Sequence, residues 1–131
     1  MEKKKNNIRY PMNDLKLGES WRLFKIMGEF VEGVDSLQGL GPAVSIFGSA
    51  RTDPAHPYYK KAVDVAALFA KNGYAVITGG GPGIMEAANR GAKEGGGRSI
   101  GCNIHLPQEQ AANAYLDRLL TFEHFFVRKV M

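Results

Sequence analysis

The stretch Thr78-Gly79-Gly80-Gly81-Pro82-Gly83-Ile84-Met85 sets four glycines in five positions between a short apolar run, YAVIT (Tyr74 to Thr78), and a small-residue segment of helical character, IMEAANRGAKE. A tight turn needs one or two glycines to reach positive φ; four strip the backbone bare. At a strand-to-helix junction such bare N–H groups converge on one anion at the positive end of the helix dipole. The turn therefore reads as a phosphate cradle, with a purely structural glycine turn as the alternative. The two common phosphate fingerprints do not fit. A Walker-type loop ends in Lys followed by Ser or Thr, where this chain has Ile84-Met85, and the dinucleotide fingerprint needs glycine at Ile84 or Glu86. ATPase chemistry and ordinary NAD binding drop out.

The flanking pattern extends this junction into a domain. AVSIF (Ala43 to Phe47), YAVIT and Ser99 to Ile104 read as buried strands. Between them, helices are predicted over 58–71, stopped by Asn72-Gly73, and over 84–94, stopped by Gly95 to Gly97. A last helix is expected to begin near Glu123, after a loop carrying Leu106-Pro107. Strand and helix alternation predicts an α/β, Rossmann-like parallel sheet flanked by helices, with ligands beyond the carboxyl ends of the strands. Ahead of it, Trp21, Phe24, Met27, Phe30 or Val31, and Val34 recur at helical spacing, with Ser20 as candidate N-cap. Residues 1–40 are thus expected to form a basic segment, frayed up to Leu17, and an N-terminal helical extension. Residues 41–131 form the N-terminal part of the nucleotide-binding domain.

At 131 residues and 44% hydrophobic content the chain can bury one core. Lys and Arg number 17 against 13 acidic residues, a net +4 inflated by Lys3, Lys4 and Lys5. That bias suits an anionic ligand, and without an aromatic-basic stripe it argues against nucleic acid. Cys102 is the single cysteine, which excludes an internal disulfide and a cysteine metal cage and points to a reducing, cytoplasmic compartment. No apolar run reaches the roughly 18 residues a membrane span needs, so no membrane partner is expected.

Other candidates follow from position. Gly48-Ser49-Ala50-Arg51 ends the first strand, where the Ser49 hydroxyl and Arg51 guanidinium could reach a phosphate oxygen, although a surface Arg after a strand is more often just solvated. Met85 and Glu86 open the helix after the glycines; Glu86 either complements the helix dipole or meets a ligand hydroxyl, and Asn89 one turn later is equally open. Arg128 and Lys129, behind Phe122, Phe125 and Phe126, read on their own as a solvated basic face. His56, His105 and His124 are too scattered for a metal site.

WRLFKIMGEFVEG (Trp21 to Gly33), FGSAR (Phe47 to Arg51), TGGGPGIMEAANRGA (Thr78 to Ala92), GCNIHLPQEQ (Gly101 to Gln110) and FFVRKVM (Phe125 to Met131) together resemble, in order, the Lonely Guy family, long bacterial type. The resemblance covers most of the chain from Leu17 onward. It implies a Rossmann-like phosphoribohydrolase that cleaves the N-glycosidic bond of a nucleoside 5′-monophosphate, AMP or a cytokinin riboside monophosphate, without metal or cofactor. It further implies that Gly79, Gly80, Gly81, Gly83 and Ile84, with Ser49 beside them, bind the substrate phosphate. Arg128 is then catalytic, with Lys129 supporting it, and Arg51, Met85 and Glu86 are possible further contacts. Homo-oligomers, dimers or larger, are implied as well. The family's Pro-Gly-Gly-x-Gly-Thr-x-x-Glu segment, whose glutamate is catalytic, follows the Arg-Lys helix and is not among these residues. The chain accordingly reads as truncated on its C-terminal side and, alone, inactive and marginally stable with an open sheet edge. The rival function is non-catalytic carriage of a nucleotide or of a phosphorylated, molybdopterin-like cofactor.

Overall fold

The computed structural model describes residues 17–105 and 111–131. The lysine run and Leu106-Pro107 lie outside the described residues. Four strands, β1 (Ala43–Ser45), β2 (Ala75–Thr78), β3 (Ser99–Ile104) and β4 (Arg118–Phe122), pair in parallel in the order β1-β2-β3-β4. In this register Ser45, Ile77, Ile100 and Arg118 lie side by side. The architecture is the expected α/β, Rossmann-like one.

Helix α1 (Leu17–Leu37) precedes the sheet, α2 (Pro57–Lys71) joins β1 to β2, α3 (Ile84–Glu94) joins β2 to β3, and α4 (Phe125–Val130) follows β4. Local chemistry sets the bounds of α2: Pro57 occupies the first turn, where its missing N–H costs nothing, and His56 caps by accepting from the Tyr58 amide at 3.1 Å. Asn72 and Gly73, at φ +86°, end it.

Alternation along the strands gives the sheet two faces. Val44, Ile46 and Val76 pack against Ala66, Ala88 and Ala92 of α2 and α3. These two helices approach closely because the contact is built from alanine and glycine; a Cβ on Gly91 would come within 2.1 Å of the Val63 carbonyl oxygen. On the opposite face Cys102, Leu120, Phe122 and Val127 form a second core, closed by Ile26, Phe30, Leu37, Ile77 and Met131. Glu29 fastens α1 to the start of α4, accepting from the Glu123 amide at 2.7 Å and meeting His124 Nδ1 at 3.0 Å.

Three local expectations are corrected. Helix α1 begins at Leu17, so Ser20 lies inside it and is not its N-cap. Its packed side is Ile26, Phe30, Gly33 and Leu37, whereas Trp21, Phe24, Met27, Val31 and Val34 are exposed. Both stripes have helical spacing, and Gly33 decides between them, since a Cβ there would meet Met131 Sδ at 2.7 Å. The strand β4 was not expected: RLLTF buries only Leu120 and Phe122, too short a pattern to stand out. Among the described residues no helix is long and apolar enough to cross a membrane.

Candidate functional site

The turns after β1 and β2 lie side by side because their strands are neighbours. They are bolted together by backbone. The Ile84 N–H donates to the Ser49 carbonyl at 2.9 Å. Gly83, at φ +71°, sits so close that a Cβ would lie 2.2 Å from the same oxygen. Ser49 Oγ accepts from the Arg51 amide at 3.1 Å, and the Ile84 side chain covers Gly48. Gly80, at φ +74°, donates its N–H to Thr78 Oγ1 at 2.9 Å and packs on Gly101. Two amides of the cradle, those of Gly80 and Ile84, are therefore engaged within the protein. The N–H groups of Gly81, Gly83 and Met85 have no hydrogen-bond partner among the described residues.

On the face of the sheet away from α2 and α3, a cavity of about 600 Å³ opens beside this turn. Its floor is Ser45, Ile77 and Cys102, its rim Gly48, Gly79 and Met85, and its far wall Leu37, Arg128, Lys129 and Met131. The guanidinium of Arg128 reaches the turn: its Nη1 lies 3.7 Å from where a Cβ of Gly79 would stand. Burial pushes the Cys102 thiol up, and the positive charge of Arg128 offsets part of that rise. The cavity is thus apolar below and cationic at one end, and among the described residues lining it none is Asp or Glu.

The sequence candidates divide on this geometry. Gly79, Met85, Arg128 and Lys129 line one cavity. Ser49, Gly80, Gly81, Gly83 and Ile84 belong to the two bolted turns beside it. Arg51 is exposed, and Glu86 points the other way, its Oε1 accepting from the Tyr59 hydroxyl at 3.0 Å. Burial, then Glu86, raise the pKa of that Tyr59 hydroxyl. Among the described residues no group of three His, Cys, Asp or Glu could hold a metal.

The sequence reading missed a buried polar chain under the turn. Asn89 is fully buried and uses both ends of its amide: Oδ1 accepts from Thr78 Oγ1 at 2.5 Å, and Nδ2 donates to Ser99 Oγ at 2.8 Å. Asn113, in the stretch before β4, donates from Nδ2 to that same Oδ1 at 3.0 Å. Nothing in AANAY marks Asn113; the contact exists only once β4 is placed beside β3.

A doubly covered parallel sheet with a glycine turn and cationic cavity at its carboxyl end defines a Rossmann-like protein of the nucleotide-binding class. Residues 42–127 match the sequence model of the SLOG cluster4 family, and the chain belongs to that family. The Lonely Guy resemblance is borne out at this level. Two solved structures are similar. The Moco carrier protein from Chlamydomonas reinhardtii is 30% identical, with a TM-score of 0.52 over 61% of this chain and 48% of that one. The structural-genomics target TM1055 is 31% identical, with a TM-score of 0.46 over 61% of this chain and 45% of its own. The chain spans less than half the length of either. No curated protein matches it.

Proposed function

We propose that the cavity receives a nucleoside 5′-monophosphate and that the protein hydrolyses its N-glycosidic bond, giving free base and ribose 5-phosphate. One observation carries the reading: the Arg128 guanidinium meets the glycine turn at Gly79, so a fixed positive charge and bare backbone share one end of an apolar cavity. The dianionic phosphate seats at that end against the amides of the turn, and the base extends over Ile77 and Met85.

In the reaction the bond from the anomeric carbon to the base nitrogen breaks with its electron pair leaving on the base, water oxygen bonds to that carbon, and the proton that water gives up is balanced by the one the base takes up. The transition state is cationic at the sugar, so it needs a carboxylate to stabilise that charge and direct the water. The described residues that line the cavity supply none, and the resemblance assigns that part to the glutamate segment C-terminal to the Arg128 helix. Arg128, at the phosphate end, orients the nucleotide.

A second reading has its own support. The similarity to a Moco carrier protein favours carriage of a phosphorylated cofactor in the same cavity without bond cleavage. Calorimetric titration with AMP, with free adenine measured in parallel, separates the two. For the intact protein that carries the glutamate segment the expected result is binding with adenine release, and for residues 1–131 alone binding without it. In either, Arg128→Ala should lose about 10- to 100-fold in affinity, as for a charge-assisted hydrogen bond worth about 1.5–3 kcal/mol. Binding without release by the intact protein would favour the carrier. Unchanged affinity in Arg128→Ala would remove that side chain from the site.

A further inference from the structure

We infer that Asn113 is the positioning residue of the glycine turn, holding its carbonyl oxygens away from the ligand so that only N–H groups face the phosphate. The inference rests on the phosphate reading of the turn. Asn113 spends nearly all its hydrogen-bonding capacity on this task. Its backbone N–H donates to the Gly80 carbonyl at 3.0 Å, and its Nδ2 donates to the Gly81 carbonyl at 3.0 Å and to Asn89 Oδ1 at 3.0 Å. Its own Oδ1 accepts from the Tyr115 amide at 3.0 Å.

A trans peptide is planar, with C=O and N–H on opposite sides. Fixing the Gly80 oxygen toward Asn113 therefore directs the Gly81 N–H the other way. Asn113 and Asn89 stand on the α3 side of the turn, while Arg128 reaches Gly79 from the opposite face of the sheet. Glycine peptides rotate more freely than any others. Without the clamp, the Gly80 and Gly81 carbonyls are free to swing toward the site, where each presents a lone pair to a dianion. Pre-set donors avoid that reorganisation on binding.

The clamp is itself anchored. The Asp117 amide donates to the Ser99 carbonyl at 2.8 Å, and the Ser99 amide donates back to Asp117 Oδ2 at 2.9 Å. Asn89 adds bonds to Ser99 Oγ and, at 3.3 Å, to the Ile100 carbonyl. A paired network of this kind, with Asn89 and Ser99 fully buried at its centre, specifies one geometry.

The test compares wild type, Asn113→Ala and Asn113→Asp by AMP titration, following calorimetric affinity and the Gly81 amide resonance, with thermal melts alongside. Asn113→Asp keeps the size and the backbone donor but lacks the Nδ2 protons, so it serves if the alanine variant does not fold. The expected outcome is at least a tenfold weaker dissociation constant in each folded variant and a Gly81 amide displaced in the ligand-free protein and shifted less on adding AMP. A purely structural residue would lower the melting temperature and leave the affinity of the folded protein and the Gly81 shift as in wild type; that result overturns the inference. If wild type itself fails to bind AMP, the phosphate reading falls and the inference with it.

Discussion

Four glycines of the turn look alike in sequence and are unlike in structure. Gly83 needs its missing side chain twice over, for φ +71° and for the Ser49 carbonyl against its Cα, so Gly83→Ala must displace backbone. Gly79 has no such φ, and its Cβ would meet the flexible end of Met85, which can move, and stand beside the Arg128 guanidinium. The pair of substitutions should therefore separate fold from function. Gly83→Ala is expected to lower stability by about 2 kcal/mol or more, from left-handed strain together with overpacking. Gly79→Ala should melt close to wild type and bind AMP more weakly. Denaturant melts and AMP titration of both variants check this; equal stability loss in the two would refute the division. That the turn mattered was legible in its spacing. Which glycine serves packing was not, because the partner of Gly83 is a carbonyl at position 49, brought there only by β1–β2 pairing.

At the scale of elements, the strands and crossover helices were legible because each carries its own period and its own stop. The failures came where two patterns competed or one was too short. Helix α1 has apolar stripes on two sides, and the packed one was settled by a glycine fitting under Met131 rather than by apolar bulk. Strand β4 buries two residues of five. The α2–α3 contact shows the same logic in a form that can be measured. Ala66 and Gly91 meet at the closest approach, with a Cβ on Gly91 falling 2.9 Å from that of Ala66 and 2.1 Å from the Val63 oxygen. In an isolated helix alanine is better than glycine by about 1 kcal/mol. Here the backbone contact, with an overpacking cost toward the upper end of about 1–3 kcal/mol, should outweigh that gain, so Gly91→Ala is expected to destabilise by about 1–2 kcal/mol net. A chemical denaturation midpoint at or above that of wild type would show that the two helices can separate without cost.

For the molecule as a whole, sequence order became spatial order: β1 to β4 lie in succession, and the residue that closes the far side of this arrangement is Asp117, just before β4. It accepts from the Ser99 amide on β3 and pairs with Lys93 on α3, joining three elements through one carboxylate. Partial burial pushes the Asp117 pKa up, but the Lys93 hydrogen bond and charge and the Ser99 amide outweigh it and hold the carboxyl below its ordinary value. A carboxyl more acidic in the folded than in the unfolded state binds fewer protons when folded, so its stabilisation is present above the ordinary carboxylate pKa of about 4 and is lost as pH falls through the lowered value. Asp117→Asn should thus melt below wild type at neutral pH, with the difference closing on acidification below about pH 4. Because the Lys93–Asp117 pair is partly exposed, added salt should shrink its share of the effect and leave the Ser99 contribution standing. A melting difference between wild type and Asp117→Asn that stays constant from neutral pH down to strong acid would mean that this carboxylate does not hold the third and fourth strands together, and the anchoring of the Asn113 segment would then have to come from its backbone bonds alone.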